Sequence, residues 1–158
     1  MDLDTLLNKN QKEAATYLDS HLRIIAGAGS GKTRVVTYRI AHLIQDVGID
    51  PRSILAITFT NKAANEMKER VNEVVGIHGS GTLICTIHSL CVRFLRQHIN
   101  VLNYPSNFTI MDEEDQKALI KKLYTQLEID AKVISIKSMI NTISSYKTAR
   151  VSPQRAIE

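Results

Sequence analysis

A glycine-rich stretch near the amino terminus has the residue types and spacing best suited to chemistry. It runs Ala26, Gly27, Ala28, Gly29, Ser30, Gly31, Lys32, Thr33. Glycines let backbone N–H groups crowd around a polyphosphate without Cβ clashes, while a lysine and a following hydroxyl supply a cation and a Mg²⁺ ligand. The stretch is therefore predicted to be a phosphate-binding loop, although Ala26 stands where the general pattern has glycine.

The segments on either side of the loop support this prediction. The apolar run at 22–25 predicts a strand over 22–26, and apolar residues at helical spacing predict a helix over 31–47: Val36, Ile40, Leu43, Ile44 and Val47. A strand, a glycine-rich turn and a helix in this order favour a nucleotide loop over an ordinary turn with a surface lysine. Lys32 is expected to reach the β- and γ-phosphates of the nucleotide, and Thr33 to hold the Mg²⁺ that accompanies it.

The rest of the amino-terminal two thirds alternates between strand and helix patterns. After a helix at 9–18, whose Ala14, Ala15 and Leu18 are expected to face inward, further strands are predicted at 54–59 and 83–87, and helices at 61–75 and 88–99. The strand at 54–59 reads as buried and parallel. This alternation predicts an α/β fold with a parallel sheet, whose ligands bind at the carboxyl ends of the strands. The glycine loop, 58–61 and 86–89 are therefore expected along one rim.

The pattern changes near residue 105, because only helices are predicted beyond it, at about 112–128 and 133–148. We therefore divide the chain into 1–105 and 106–158. The 158 residues carry a net charge of +4, which is compatible with a nucleic-acid partner without arguing for one. No apolar run is long enough to cross a membrane and the first residues do not form a secretory signal, so we expect a cytoplasmic location.

Two other groups of residues deserve a chemical interpretation. Asp112 and Glu113 follow an apolar run, as a catalytic carboxylate pair would, but they also suit the start of a helix, and we favour that reading. Cys85, His88 and Cys91 are spaced by three, but no fourth ligand is evident, so two reduced thiols are expected rather than a metal site.

Several motifs in one order carry a resemblance to a known family. They are Leu7–Gln11, the loop and Arg34 at 26–34, the run Ala56–Ala64 followed by Glu66 and Met67, and Thr86–Ser89. Together they closely resemble the amino-terminal part of the UvrD/Rep/PcrA group of superfamily 1 DNA helicases, over almost the whole chain. Alanine at position 26 is usual in this group. The resemblance implies a P-loop NTPase fold of the RecA-like kind, with only part of its sheet in this sequence.

The resemblance also implies roles for individual residues. Gln11 matches the glutamine that reads adenine, a role that suits a primary amide with a donor and an acceptor. Arg34 matches an arginine near the base and sugar. Two segments match motifs that contact single-stranded DNA: Phe59, Thr60, Asn61 and Lys62, and then Thr86, His88 and Ser89. Without the resemblance, a core Phe59, a packed His88 and capping roles for Asn61 and Ser89 were the simpler interpretations.

Under this resemblance, residues 106–158 begin a helical insertion, and the acidic catalytic motif and a second RecA-like domain would follow residue 158. We expect a segment cut from a longer protein, an ATP-dependent translocase that moves 3′ to 5′ on single-stranded DNA and acts at DNA junctions in repair or replication. By itself the segment is expected to bind nucleotide weakly and not to unwind DNA. The alternatives are a P-loop phosphotransferase and a non-catalytic nucleotide-binding module; a fused nuclease is also left open.

Overall fold

The computed structural model describes residues 1–157 and contains two compact units, of which the first is Met1–Ser106 and the second begins at Asn107. The first unit contains α1 (Leu3–Leu6), α2 (Lys9–Thr16), α3 (Lys32–Gln45), β1 (Leu55–Thr58), α4 (Asn61–Val75), β2 (Leu83–Thr86) and α5 (Ile87–His98). Short 3-10 turns cover Pro51–Ser53, Gly76–Gly79 and Ile99–Leu102. The second unit contains α6 (Glu113–Gln126) and α7 (Ile136–Thr148).

The sheet of the first unit is a parallel pair, as the α/β pattern predicts. β1 and β2 pair from Leu55 opposite Leu83 to Thr58 opposite Thr86, and α4 makes the crossover between them. The buried side chains Ala56, Met67, Val71 and Ile84 join Ile40 of α3 in the main core. Burial of each large side chain contributes about 1.5–3 kcal/mol, so this core fixes α3 and α4 on one face of the sheet.

β1 is covered on one side only, which corrects the expectation of a fully buried strand. Ala56 is buried, whereas Leu55 and Ile57 remain 48% and 47% exposed. Side chains alternate between the two faces of a strand, so the packing of α3 and α4 covers one set and leaves the other accessible. α5 also lacks a buried residue, and its Phe94 is 60% exposed.

Residues 22–26, which were predicted to form a strand, have no regular secondary structure. The apolar run at 22–25 favours a strand, but a strand forms only where a neighbouring strand completes its hydrogen bonds. In residues 1–157 the sheet consists of β1 and β2 alone. Ile25 is accordingly 85% exposed, and Leu22 and Ile24 are partly exposed.

A smaller core fixes the amino-terminal helices against α3. It contains Leu3, Leu7, Ala15 and Val35. The predicted helix at 9–18 ends earlier, at Thr16, so Ala15 is buried while Leu18 lies beyond the helix and is 49% exposed. None of the helices in residues 1–157 is both long and apolar enough to span a membrane.

Candidate functional site

The glycine-rich loop turns sharply before α3. Gly29 and Gly31 have φ angles of +74° and +83°, in the left-handed region that favours glycine. The Ser30 hydroxyl donates a hydrogen bond to the Gly27 carbonyl oxygen at 2.7 Å, which closes the turn. A Cβ at Gly27 or Gly29 would meet no heavy atom within 4 Å, so the backbone on this side of the loop is open to a ligand.

Lys32 and Thr33 are the first residues of α3, immediately after the loop. Lys32 Nζ donates hydrogen bonds to the carbonyl oxygens of Ala26 at 3.1 Å and Gly27 at 2.6 Å, so the ammonium group lies across the loop. Thr33 is exposed. The residue that caps α3 is Gly31, which provides no side-chain hydrogen bond to the first turn. The helix therefore begins with backbone N–H groups that no capping side chain satisfies, at its positive end.

These features fit the triphosphate of ATP together with Mg²⁺. Open backbone at Gly27 and Gly29, an uncapped helix start and the Lys32 ammonium all favour an anion of high charge. The exposed Thr33 hydroxyl is an oxygen ligand of the kind that Mg²⁺ takes beside phosphates. Ala28, in the middle of the loop, is also exposed.

Gln11 contacts this loop from α2. Its backbone N–H donates to Asn8 Oδ1 at 2.9 Å, and its own Oε1 accepts from the Asn8 N–H at 3.1 Å, which is a reciprocal capping box at the helix start. Gln11 Nε2 donates to the Ser30 carbonyl oxygen at 3.1 Å. Because a primary amide has two donors and two acceptor positions, one of each remains for a ligand such as the adenine edge.

Arg34 is the third residue of α3 and lies close to Gly31 of the loop. Its Nη2 donates to the Leu6 carbonyl oxygen at 2.8 Å, and its guanidinium lies 5.6 Å from the centre of the Tyr38 ring. These contacts fix the guanidinium between the end of α1 and the ring. The structure thus places Gln11, the loop and Arg34 close together.

The second group of predicted residues lies where β1 and β2 end. Thr58 is the register partner of Thr86, so the two strand ends are neighbours. Phe59 follows β1 and is 92% exposed, which excludes the interpretation of Phe59 as a core residue. Thr60 caps α4 by accepting from the Ala63 N–H at 3.1 Å, and the Thr58 hydroxyl donates to the Thr60 carbonyl oxygen at 3.0 Å.

The remaining residues of this group surround the two helix starts. Asn61 and Lys62 are exposed at the start of α4, and Lys62 Nζ lies 4.0 Å from Glu66 Oε1. Thr86 caps α5: its hydroxyl accepts from the Ser89 N–H at 3.2 Å and lies 2.9 Å from the Ser89 hydroxyl. His88 is exposed beside it. Within residues 1–157 no hydrogen bond or ion pair joins this group to the glycine loop.

Two side chains that support the site were not singled out from the sequence. Arg39 of α3 donates to the carbonyl oxygens of Ala14, Ala15 and Tyr17, so it holds the carboxyl end of α2. Asn8 holds the other end through the capping box. The Asn-x-x-Gln spacing at 8–11 carries the capping signal, whereas nothing in the sequence indicates the contacts of Arg39.

The structure also describes the two other groups that were given a chemical interpretation. Asp112 caps α6 in a reciprocal capping box with Asp115, which agrees with a structural role at the helix start. Cys85 and Cys91 are free thiols, and no group of three or more potential metal ligands occurs in the described part of the chain.

The first unit is an α/β domain with a candidate phosphate loop. It has parallel strands, helices packed on one face of them, and a glycine-rich turn that leads into a long helix. Comparison with known sequences identifies the family to which this α/β domain belongs. The sequence model of the UvrD/REP helicase N-terminal domain matches residues 7–158, and the chain belongs to that family.

Individual relatives agree with the family. The chain is 46% identical over 148 residues to the ATP-dependent DNA helicase PcrA of Bacillus subtilis, covering 94% of this chain and 20% of that protein. It is 45% identical over 150 residues to the protein of the same name from Staphylococcus aureus strain Mu50, covering 95% of this chain and 20% of that protein. The chain thus spans about a fifth of the length of the curated relatives it matches.

Proposed function

We propose that this chain is the ATP-binding portion of an ATP-dependent DNA helicase. The observation that carries the proposal is the glycine loop: two left-handed glycines, open backbone and a lysine that lies across the turn, followed by an uncapped helix. Membership of the helicase family and the PcrA relatives support the same assignment. In this proposal residues 1–105 are the first part of a RecA-like domain and residues 106–158 begin its helical insertion.

Each residue of the loop has a defined task in this proposal. The backbone N–H groups of 27–33 and the positive end of α3 bind the phosphates. Lys32 exchanges its contacts with the Ala26 and Gly27 carbonyls for β- and γ-phosphate oxygens, and neutralises the charge that develops there. The exposed Thr33 hydroxyl would supply an oxygen ligand for Mg²⁺, whose positive charge would offset the charge of the phosphates. Gln11 reads adenine with its remaining donor and acceptor, beside Arg34.

The strand ends form the proposed surface for single-stranded DNA. Phe59 presents a ring that is 92% exposed, on which a base can stack without sequence preference. Polar groups for phosphate contacts are available at the start of α4, from Thr60, Asn61 and Lys62, and at the start of α5, from His88 and Ser89. Thr86 is buried, so its part in this surface is to fix the start of α5 through its cap. A second RecA-like domain of the same protein completes the ATP site in this proposal.

The direction of movement, 3′ to 5′, and a role at DNA junctions in repair or replication remain part of the proposal. The cytoplasmic location expected from the sequence is also part of the proposal. All of these follow from the resemblance or from composition, and the loop geometry supports only nucleotide binding. The nucleotide site is therefore tested first and the helicase activity second.

Binding of MgATP to this chain tests the nucleotide site. Lys32→Ala removes a charge-assisted contact, so the affinity measured by titration calorimetry should fall about tenfold or more. Lys68→Ala is the matched control, since Lys68 is an exposed lysine on α4 that makes no ion pair within residues 1–157. Equal affinities for Lys32→Ala and the unchanged chain would exclude the proposed site.

ATP hydrolysis tests the helicase assignment, in a protein that carries this sequence at the length of its curated relatives. Single-stranded DNA should stimulate hydrolysis, and Lys32→Ala should abolish it. Hydrolysis without stimulation by DNA would indicate the P-loop phosphotransferase instead. Binding of ATP without hydrolysis would indicate the non-catalytic module.

A further inference from the structure

The bond between Gln11 and Ser30 has a consequence for the phosphate loop that does not depend on adenine. Gln11 Nε2 lies 3.1 Å from the Ser30 carbonyl oxygen, across 19 residues of sequence. In a planar trans peptide the carbonyl and the following N–H point in opposite directions. With the Ser30 carbonyl turned toward α2, the Gly31 N–H must point away from α2. This N–H is one of the donors that a phosphate loop presents to its ligand.

The capping box fixes the orientation of the Gln11 amide. Because Oε1 accepts from the Asn8 N–H at 3.1 Å, the NH₂ group must occupy the other side, toward Ser30. A flipped amide would place two carbonyl oxygens face to face and two N–H groups face to face. The start of α2 therefore determines which group of Gln11 meets the loop.

The Gln11 side chain occupies the space that a side chain at position 31 would need. A Cβ at Gly31 would lie 2.8 Å from Gln11 Nε2, closer than real Cβ atoms approach a heavy atom. The absence of a side chain at this position thus serves the contact with Gln11 as well as the φ angle of +83°. The Gln11 side chain therefore packs directly on the backbone that leads into α3.

We propose that Gln11 is a positioning residue for the phosphate loop, which sets the direction of the Gly31 N–H whatever base the ligand carries. The inference rests on the proposed nucleotide site and adds to it a role in phosphate binding beyond adenine recognition. It implies that Gln11 contributes to the binding of a polyphosphate that has no base at all.

Titration calorimetry with magnesium tripolyphosphate and with MgATP tests this inference on the whole chain. Gln11→Met is of similar size and adds no charge, but it removes the donor to Ser30 together with the acceptor of the capping box. The affinity for tripolyphosphate should fall about tenfold, as expected for a lost hydrogen bond, and the affinity for ATP at least as much. Asn10→Met is the matched control, because the Asn10 side chain is an exposed amide in the same helical turn with no hydrogen bond inside residues 1–157. It should change neither affinity.

A local signal separates positioning from general loss of structure. The carbonyl ¹³C resonance of Ser30 should shift in Gln11→Met and not in Asn10→Met, while both variants keep the helical circular dichroism of the unchanged chain. If Gln11→Met weakens ATP and leaves tripolyphosphate and the Ser30 resonance unchanged, Gln11 acts on adenine alone and the inference is wrong, although the nucleotide site stands. If the unchanged chain and Lys32→Ala bind both ligands equally, the site itself is wrong and the inference falls with it.

Discussion

Thr58 and Thr86 are register partners at the carboxyl ends of two parallel strands, and each strand leads directly toward a helix capped by a threonine. Thr60 caps α4 and Thr86 itself caps α5. The amino-terminal ends of α4 and α5 therefore lie side by side at the carboxyl ends of the strands, and both helices have the positive ends of their dipoles there. This arrangement supports the proposal that a polynucleotide backbone binds along the edge.

Phe59→Ala should weaken binding of single-stranded DNA while leaving stability unchanged. The ring is 92% exposed, so its removal should change the free energy of unfolding by less than about 0.5 kcal/mol. Loss of one stacked base costs about 1–3 kcal/mol, or roughly tenfold or more in affinity. Fluorescence anisotropy of a labelled oligothymidylate, with a protein of the relatives' full length, measures the affinity.

Ile77→Ala is the control for Phe59→Ala. Ile77 is 85% exposed in the turn after α4, so the two substitutions remove similar exposed apolar area at different places. Equal DNA affinities for both variants would argue against stacking on Phe59. A large loss of stability in Phe59→Ala would instead indicate that the ring is packed.

Thr86→Ala should destabilise the fold through its cap. Thr86 is only 6% exposed, and its hydroxyl accepts from the Ser89 N–H at 3.2 Å. Loss of an N-terminal cap costs about 1 kcal/mol in the free energy of unfolding. Thr86→Ser keeps the hydroxyl and should retain most of the stability, as measured by urea denaturation. If the serine variant is as unstable as the alanine variant, the methyl group rather than the cap is responsible.

The elements that local chemistry specifies were predictable from the sequence. Apolar periodicity and caps gave α3, α4, α6 and the parallel pair β1 and β2 with ends close to those observed. Asp112 stands immediately before α6 and caps it, as expected. The cap of α4 is Thr60 rather than Asn61, which is the first residue of that helix. These signals are contained within a few residues, so a single sequence is enough to read them.

The features that were missed depend on distant partners. The strand at 22–26 requires a neighbouring strand to complete its hydrogen bonds, and composition does not reveal whether one is present. Gln11 meets Ser30 across 19 residues, and Arg34 meets Leu6 across 28. Only the folded arrangement of α1, α2 and α3 brings these groups together. The residue types of the candidate site could thus be read from the sequence, but its internal contacts could not.

Asp46 should make stability depend on pH in the acidic range. A hydrogen bond from His42, at 2.7 Å, and one from the Met1 amino group, at 3.0 Å, hold the pKa of Asp46 below its ordinary value of 3.8. A lowered pKa in the folded state means that the carboxylate stabilises the fold above the ordinary pKa. This contribution is lost as the pH falls through the lower value.

Comparison of the chain with Asp46→Asn isolates this contribution. The unchanged chain should have the larger free energy of unfolding at about pH 5, and the difference should shrink toward zero at about pH 2. Urea denaturation at both pH values provides the measurement. In a His42→Ala background the effect of Asp46→Asn should be smaller, because the principal partner is gone. A difference that stays constant with pH would exclude the ion pair as its cause.

Gly31→Ala and Gly48→Ala form a matched pair that separates backbone strain from the contact with Gln11. Their φ angles are +83° and +80°, so both substitutions should cost about 1–2 kcal/mol through the left-handed conformation. A Cβ at Gly48 meets nothing within 4 Å, whereas one at Gly31 lies 2.8 Å from Gln11 Nε2. Only Gly31→Ala should therefore displace Gln11 and weaken tripolyphosphate binding.

A double-mutant cycle with Gln11→Ala makes the comparison quantitative. Gln11→Ala removes the amide that the new Cβ would meet, so the extra destabilisation of Gly31→Ala over Gly48→Ala should disappear in that background. Urea denaturation of the single and double variants gives the coupling. Additive effects of Gly31→Ala and Gln11→Ala would show that the two residues do not touch in solution. If Gln11→Ala couples to Gly31→Ala but not to Gly48→Ala, glycine is required at position 31 by the contact with Gln11 as well as by the left-handed turn.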